Sequence, residues 1–382
     1  MIAKANRLQT VQEYYFSHKL REIQQLKTAG KSIINLGIGS PDLATDPLVI
    51  KALTNVLLLP QATQYQSYQG TAELRNAISN FYLHHFKVEL NSVNEILPLM
   101  GSKEGIMHIS MAFLNLGDEV LIPNPGYPTY ASVTTLVGAT PVFYDLSEAN
   151  GWFPDLLKLS KKDLSNVKLM WVNYPHMPTG ATVTRKQWQQ LVNFAKKHQI
   201  LVVNDNPYSF ILNKNINSIL QVKGANEVAL ELNSLSKTFN ISGMRVGMVM
   251  GAAYNIEAIL QVKSQMDSGM FLGIQHAAMA ALQLKKSWFV SLNKIYKERR
   301  LLVWKLLDLL NCTYDKNTAG LFVWAKLPDE KNGVQFTDEL LRHKDIFITP
   351  GMVFGSAGTN YIRVSLCASE CDLNEVINRL KK

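Results

Sequence analysis

The sequence predicts an α/β protein: a three-layer α/β/α large domain around a mostly parallel seven-stranded sheet, with a smaller α+β domain at the C-terminal end. Three observations carry that prediction. Short apolar runs alternate with amphipathic helical patterns through the middle of the chain, the signature of strand–helix units. The runs are rich in Val, Ile, Leu and Met and show little alternation, as strands buried on both faces do. After about residue 283 the alternation stops, and a long helical pattern leads into a mixed segment.

Residues 1–45 read as an arm plus one strand that belongs with the small domain. Strand candidates follow at 97–101, 119–123, 140–145, 168–174, 200–205, 228–233 and 246–251. The clearest helix spans 184–198. Trp188, Leu191, Val192 and Ala195 recur there at helical spacing, and Lys196 and Lys197 sit at the end the helix dipole favours for cations. Residues 46–282 thus form the large domain. The small domain, 283–382, opens with a helix from Trp288 to about Leu310 and has strand candidates at Gly320–Ala325 and Tyr361–Leu366.

The 382 residues are 47% apolar and 18% charged, an ordinary profile with enough material for a large core. No apolar run approaches the roughly 18 residues of a membrane span. The polar start, Met1-Ile-Ala-Lys-Ala-Asn-Arg, lacks the apolar stretch of a signal peptide. Cys312, Cys367 and Cys371 are odd in number and lack metal-ligand spacing, so no metal is expected and reduced thiols in a cytoplasm fit best. The net charge of +9 is spread out, its densest cluster being Lys297-Glu298-Arg299-Arg300. Nucleic-acid binders gather their charge into a stripe, so an anionic small ligand is the better reading.

Chemistry concentrates first at Ser234-Leu-Ser236-Lys237, with Arg245 eight residues beyond Lys237. A lysine leaving a buried strand is a candidate Schiff-base nucleophile, because burial and nearby positive charge lower its pKa. The hydroxyls of Ser234 and Ser236 and the Arg245 guanidinium suit a phosphate. Taken alone, the stretch reads more simply as a strand and a polar loop with a solvated lysine. The second element is Ile200-Leu-Val-Val-Asn-Asp205-Asn-Pro-Tyr208, a strand that ends in an acid and then a phenol. Ligands of open α/β sheets bind beyond the carboxyl ends of strands. An acid there can pair with a protonated pyridine nitrogen, the need of pyridoxal phosphate as an electron sink. Alone, Asp205 reads more simply as a turn residue or a helix cap.

With both elements in place, the chain resembles the fold-type I pyridoxal-phosphate enzymes, and in particular the class I/II aminotransferases, over nearly its whole length. The stretch from Ser234 to Gly247 resembles the family's cofactor-lysine motif and is the most specific signal. The resemblance implies that Lys237 carries the cofactor, that Ser234, Ser236 and Arg245 bind its phosphate, that Asp205 pairs with the ring nitrogen, and that Tyr208 reaches the phenolic oxygen. Gly101-Ser102-Lys103 resembles the helix start that cradles the phosphate. Tyr127, in Pro123-Asn-Pro-Gly-Tyr127, resembles the tyrosine stacked on the ring. Tyr65 matches the tyrosine lent to the neighbouring subunit's phosphate, which implies a homodimer. Gly39, in Asn35-Leu-Gly-Ile-Gly39-Ser-Pro-Asp, matches the glycine whose backbone touches substrate, and Arg363 matches the arginine that clamps the α-carboxylate in two-pronged fashion.

One position departs from the family pattern. Where Asn-Pro-Thr-Gly is usual, the chain reads His176-Met177-Pro178-Thr-Gly180. The resemblance gives that asparagine the ring's phenolic oxygen, and methionine has no hydrogen to donate. Either His176 or a water substitutes, or the cofactor's pKa rises, or the carboxylate is held differently. The implied activity is transfer of an amino group from an L-amino acid to a 2-oxo acid, with Lys237, Asp205 and Tyr208 as the reacting set. A β-lyase of the C–S lyase type and a non-catalytic pyridoxal-phosphate-binding protein are the rivals. The loop 263–272 is expected near the dimer interface, where it shapes the side-chain pocket, with Met266, Met270 and Phe271 pointing to an apolar or mixed side chain and Lys263 instead to an acidic one.

Overall fold

A computed structural model describes residues 2–328 and 331–381. The N-terminal stretch holds a helix at Tyr15–Thr28 before the short strand β1 (Ile34–Asn35). The arm read from sequence therefore contains a helix. Its apolar stripe is too thin to stand out, with only Phe16 and Ile23 buried.

The seven apolar runs become β2 (Ile96–Leu99), β3 (Glu119–Asn124), β4 (Thr140–Asp145), β5 (Val167–Val172), β6 (Leu201–Asp205), β7 (Ala229–Ser234) and β8 (Gly247–Gly251). They form one sheet in the order β2-β8-β7-β6-β5-β3-β4. All neighbours are parallel except β8, which runs antiparallel to both β7 and β2. β2 therefore points the same way as β7. Its end, with those of β3, β5, β6 and β7, delivers chain to one edge, where ligands of open sheets bind. β2, β7 and β8 are buried along their whole length, whereas the outer strand β4 is largely uncovered. Gly101, read as a strand residue, lies beyond β2 in a turn with a φ of 94°.

Helices cover the sheet. Arg185–His198 starts at a capping box, in which Thr184 and Gln187 exchange hydrogen bonds, and it buries Trp188, Leu191, Val192, Phe194 and Ala195. Such a helix packs one apolar stripe onto the sheet and leaves its lysines in water.

Beyond the helix Lys286–Leu309, a second sheet contains β9 (Thr313–Tyr314) and β10 (Phe322–Lys326). After a pair formed by β11 (Ile346–Phe347) with the N-terminal β1, the chain adds β12 (Thr349–Pro350) and β13 (Tyr361–Ser365). The order is β12-β13-β10-β9, all antiparallel. The β1–β11 pairing is parallel, so the N-terminal segment is tied to the C-terminal part of the chain. Arg299 strengthens that tie. Its buried guanidinium contacts Asp42 at 2.7 Å and Glu370 at 2.9 Å, so this member of the densest basic cluster is paired rather than displayed.

Candidate active site

A cavity of about 610 Å³ opens at the carboxyl ends of the large-sheet strands. It brings together Ser102, Lys103, Tyr127, Asp205, Tyr208, Ser234, Ser236, Lys237, Arg245, Arg363 and Gly39, all predicted from sequence. Tyr65 stands apart, 91% exposed and outside the cavity of its own chain.

Strand ends explain the convergence. β6 stops at Asp205, whose carboxylate is buried. Tyr130 donates its hydroxyl to Asp205 Oδ2 at 2.8 Å, while Oδ1 has no partner. Burial pushes this carboxyl up to about 7, against the pull of the Tyr130 hydrogen bond. The Tyr130 ring is itself fixed by stacking on Trp171, at 4.9 Å between centroids and 4° between planes. Sequence inspection passed over Tyr130 as a supporting group, because its role depends on β5 lying beside β6.

β7 stops at Ser234, and a single helical turn carries Lys237 inward. Its Nζ donates to the Gly39 carbonyl at 2.9 Å, and burial lowers its pKa, with the Arg363 and Arg245 charges acting in the same direction. Ser234 Oγ accepts from the Ser236 backbone N–H at 3.2 Å. Ser102 is the first residue of the helix Ser102–Phe113, which has no side-chain cap at its N-terminus. The first N–H groups of such a helix lack intrahelical partners, so they suit an anion. Gly101 is required there twice over. Its φ is positive, and a Cβ would run into the Arg245 guanidinium. Lys103 lies over the Tyr14 ring at 4.5 Å, and burial, with the Arg245 charge, lowers its pKa.

The segment after β1 crosses between the two halves of the site. Arg363 Nη2 donates to the Gly37 carbonyl at 2.7 Å, and Thr349 Oγ1 donates to the same oxygen at 2.9 Å. Gly39 packs so closely on the Phe322 ring that a Cβ would overlap it. Arg363 is buried, with its guanidinium 3.9 Å from the Phe322 centroid and 4.5 Å from that of Phe354. Burial brings its pKa down to about 10, which leaves it cationic at neutral pH. Burial also pushes the Tyr208 phenol up, against the nearby Arg363 charge, so Tyr208 keeps its proton.

The family model described as aminotransferase class I and II matches residues 31–380. This chain belongs to the class I and II aminotransferases. It is 38% identical to the LL-diaminopimelate aminotransferase of Maridesulfovibrio salexigens over 381 residues, 99% of this chain and 98% of that protein. The Aquifex aeolicus protein of the same name is 35% identical, with 100% and 99% coverage. Among solved structures, substrate-bound BacF from Bacillus subtilis superposes with a TM-score of 0.94 at 34% identity, covering 100% of this chain and 98% of that one. The aromatic aminotransferase from Pyrococcus horikoshii gives a TM-score of 0.87 at 28% identity, covering 94% and 97%.

The aminotransferase is thus a pyridoxal-phosphate-dependent enzyme, and its residues fit the cofactor. The unpartnered, buried Asp205 Oδ1 is a place for a pyridinium N–H. The uncapped helix start, the two serines and Arg245 together suit a phosphate dianion.

Two expectations about the substrate side are corrected. Buried His176 bonds Thr179 Oγ1 through Nδ1 at 2.8 Å and does not line the cavity, so it does not replace the missing amide. The aminotransferase presents Met177 and Asn173 there instead. Asn173 donates to the Asp205 main-chain carbonyl and accepts from Met177 N at 2.7 Å. Lys263 is buried, and its ammonium bonds both Asp267 oxygens at 2.7 and 2.6 Å, so it is not available to a substrate acid. Residues 263–272 do not line this chain's own cavity; Tyr14, Phe16, Leu20 and Ile38 do. No spacing signal marks these four, which arrive from the N-terminal helix, with Tyr14 at its N-cap, and from the strap that holds Gly39. Glu104, His108 and Asp267 offer ligand atoms within 4.8 Å of one another, yet the Lys263 ammonium already supplies the cation beside Asp267.

Proposed function

We propose that this aminotransferase takes the amino group from L-amino acids with apolar or aromatic side chains, working as a cytoplasmic homodimer. The observation that carries the reading is one cavity in which Lys237, the unpartnered oxygen of Asp205 and Arg363 converge, with Tyr14, Phe16, Ile38 and Phe354 around them. Among the described residues that line it, Asp205 is the only carboxylate.

In this reading Ser102, Lys103, Ser234, Ser236 and Arg245 hold the cofactor phosphate, and the partner subunit lends a tyrosine at position 65. Asp205 pairs with the ring nitrogen, Tyr127 covers the ring face, Tyr208 reaches the phenolic oxygen, and Lys237 makes the covalent link. Bound pyridoxal phosphate supplies an electron sink for negative charge at the substrate Cα. Arg363 orients the substrate carboxylate against the Gly37–Gly39 backbone. Lys237 Nζ, with its pKa lowered by burial, would take the Cα proton as a base and, as an acid, deliver it to the cofactor's C4' carbon instead of back to Cα. Tyr14, Phe16 and Phe354 exclude water around that transfer.

A second reading is diaminopimelate as substrate, supported by the names of the relatives. Its distal ammonium finds no carboxylate partner in this chain's own lining. The homodimer is supported by Tyr65 and by exposed apolar residues shortly before it in the chain, Leu58 at 85% and Leu57 at 54%. Unpaired Cys312, Cys367 and Cys371 suit a reducing compartment.

Single-turnover mixing tests the reading. The loaded enzyme is mixed with phenylalanine, methionine or LL-diaminopimelate in turn, and loss of the visible cofactor band is followed. The fastest loss is expected with phenylalanine or methionine, and a 2-oxo acid restores the band. Faster loss with diaminopimelate overturns the substrate assignment. Release of pyruvate and ammonia without an added oxo acid overturns transfer in favour of lysis.

A further inference from the structure

A second and larger cavity, of about 950 Å³, lies away from the active site. Its walls are the helix Ala72–Phe86, the segment 210–216 and the start of the helix Lys286–Leu309. The floor is apolar and aromatic. The Phe210 centroid stands 5.3 Å from that of Phe81 and 5.0 Å from that of Phe289, and Leu284 adds to the same surface. Ile216 and Val290 extend it outward, 36% and 59% exposed.

The rim has the opposite character. Lys214, Lys285, Lys286, Lys297 and Arg300 all line the cavity, and no Asp or Glu does. Among the described residues, none of these five cations has a carboxylate partner. The four lysines are exposed, and Arg300 donates Nη1 to the Thr318 carbonyl at 2.9 Å while its Nε stays unpartnered. Unpaired like charges around a low-dielectric concavity repel one another and focus a positive field on it. The arrangement suits an occupant with one negative head and an apolar body.

We propose that this cavity is a binding site for a soluble organic anion of that kind, represented by a medium-chain carboxylate. The size fits, since small-molecule sites span roughly 300–1,000 Å³. The chemistry divides the work. The phenylalanine floor takes the hydrocarbon, and the lysine rim takes the carboxylate. The segment that carries Phe210 and Leu212 begins with Pro207 and Tyr208 in the active-site cavity, so one stretch of backbone serves both sites.

Calorimetric titration of the cofactor-loaded enzyme with octanoate, hexanoate and 1-octanol tests the proposal. Octanoate is expected to bind once per chain. Each methylene removed weakens binding about two- to fourfold, and the neutral alcohol binds about tenfold or more weakly. The K286E/K297E double variant changes only exposed side chains and is expected to weaken octanoate about tenfold or more. An R363K variant, altered only in the active-site cavity, is expected to bind octanoate as the unaltered enzyme does. Equal affinity for acid and alcohol overturns the proposal, as does full affinity in the double variant. Loss of binding in R363K alone places the carboxylate in the active site and overturns it equally.

Discussion

The Met177 sulfur accepts a hydrogen bond from Arg363 Nη1 at 3.4 Å. The same guanidinium gives Nη2 to the Gly37 carbonyl and leaves Nε without a partner. Thioether sulfur is a weak acceptor. Arg363 is therefore held in place mainly by Gly37 and by the Phe322 and Phe354 rings, with one edge readily surrendered to an arriving carboxylate.

Met177→Asn follows directly. An amide at this position restores a donor toward the ring's phenolic oxygen, which favours its anionic form. Spectral titration of the loaded enzyme is expected to show the visible band's pKa falling, by about one unit. Because the amide oxygen is a better acceptor for Arg363 than sulfur, KM for the amino acid is expected to rise at the same time. An unmoved spectral pKa would show that residue 177 does not reach the ring.

Asp205 sets a pH dependence in the cofactor-free protein. Its folded pKa is about 7, above its ordinary value of 3.8, so between those values the folded state holds a proton that the unfolded chain releases. Stability then falls as pH rises through that window and levels off above it. Asp205→Asn removes the slope. Urea unfolding of the cofactor-free proteins is expected to find the variant more stable at pH 8 by up to a few kcal/mol, and nearly matched only at about pH 3.5, below the window. With cofactor the order reverses, because the carboxylate gains its pyridinium partner.

The two substitutions also mark how far the sequence was legible. Asp205, Ser234 and Lys237 could be placed because they end apolar runs, and strand ends of a parallel sheet gather at one edge. Arg363 was placed by resemblance alone; it sits within β13, where nothing local separates it from a surface strand residue. The strap around Gly37–Gly39 was recognised, but its partners were not. The contacts of Lys237 with Gly39 and Arg363 with Gly37 join residues separated by 198 and 326 positions. Lys263 was misread for a different reason. Its partner, Asp267, lies only four residues on, past the end of the helix Ala253–Lys263, and no local pattern reveals that the lysine there is buried.

Tyr130→Phe removes the one hydrogen bond to the Asp205 carboxylate while keeping the ring stacked on Trp171. The carboxyl is expected to titrate higher still in the cofactor-free protein, since the group that lowers it is gone. A lost hydrogen bond to a charged group is worth about 1.5–3 kcal/mol, so cofactor affinity is expected to drop by about tenfold or more. Equilibrium dialysis against pyridoxal phosphate measures it. Unchanged affinity would mean that Asp205 is fixed by its backbone alone.

Glu231 tests whether the strand ends are held from below. It is buried in β7, where its carboxylate accepts from Ser218 Oγ at 2.8 Å, Tyr82 OH at 3.0 Å, Ile219 N at 3.2 Å, Asn206 Nδ2 at 3.2 Å and Asn204 Nδ2 at 3.3 Å. Asn204 and Asn206 flank Asp205, so this acid braces the peptide that presents the ring partner. Glu231→Gln keeps the shape but turns one acceptor into a donor that faces donors. It is expected to lower unfolding stability by about 1–3 kcal/mol. Glu231→Ala strands every donor and is expected to lose about 3–5 kcal/mol. If the network only stabilises the fold, the Gln variant binds cofactor as the parent does once folded. If it positions Asp205, affinity falls in the Gln variant even where folding is complete.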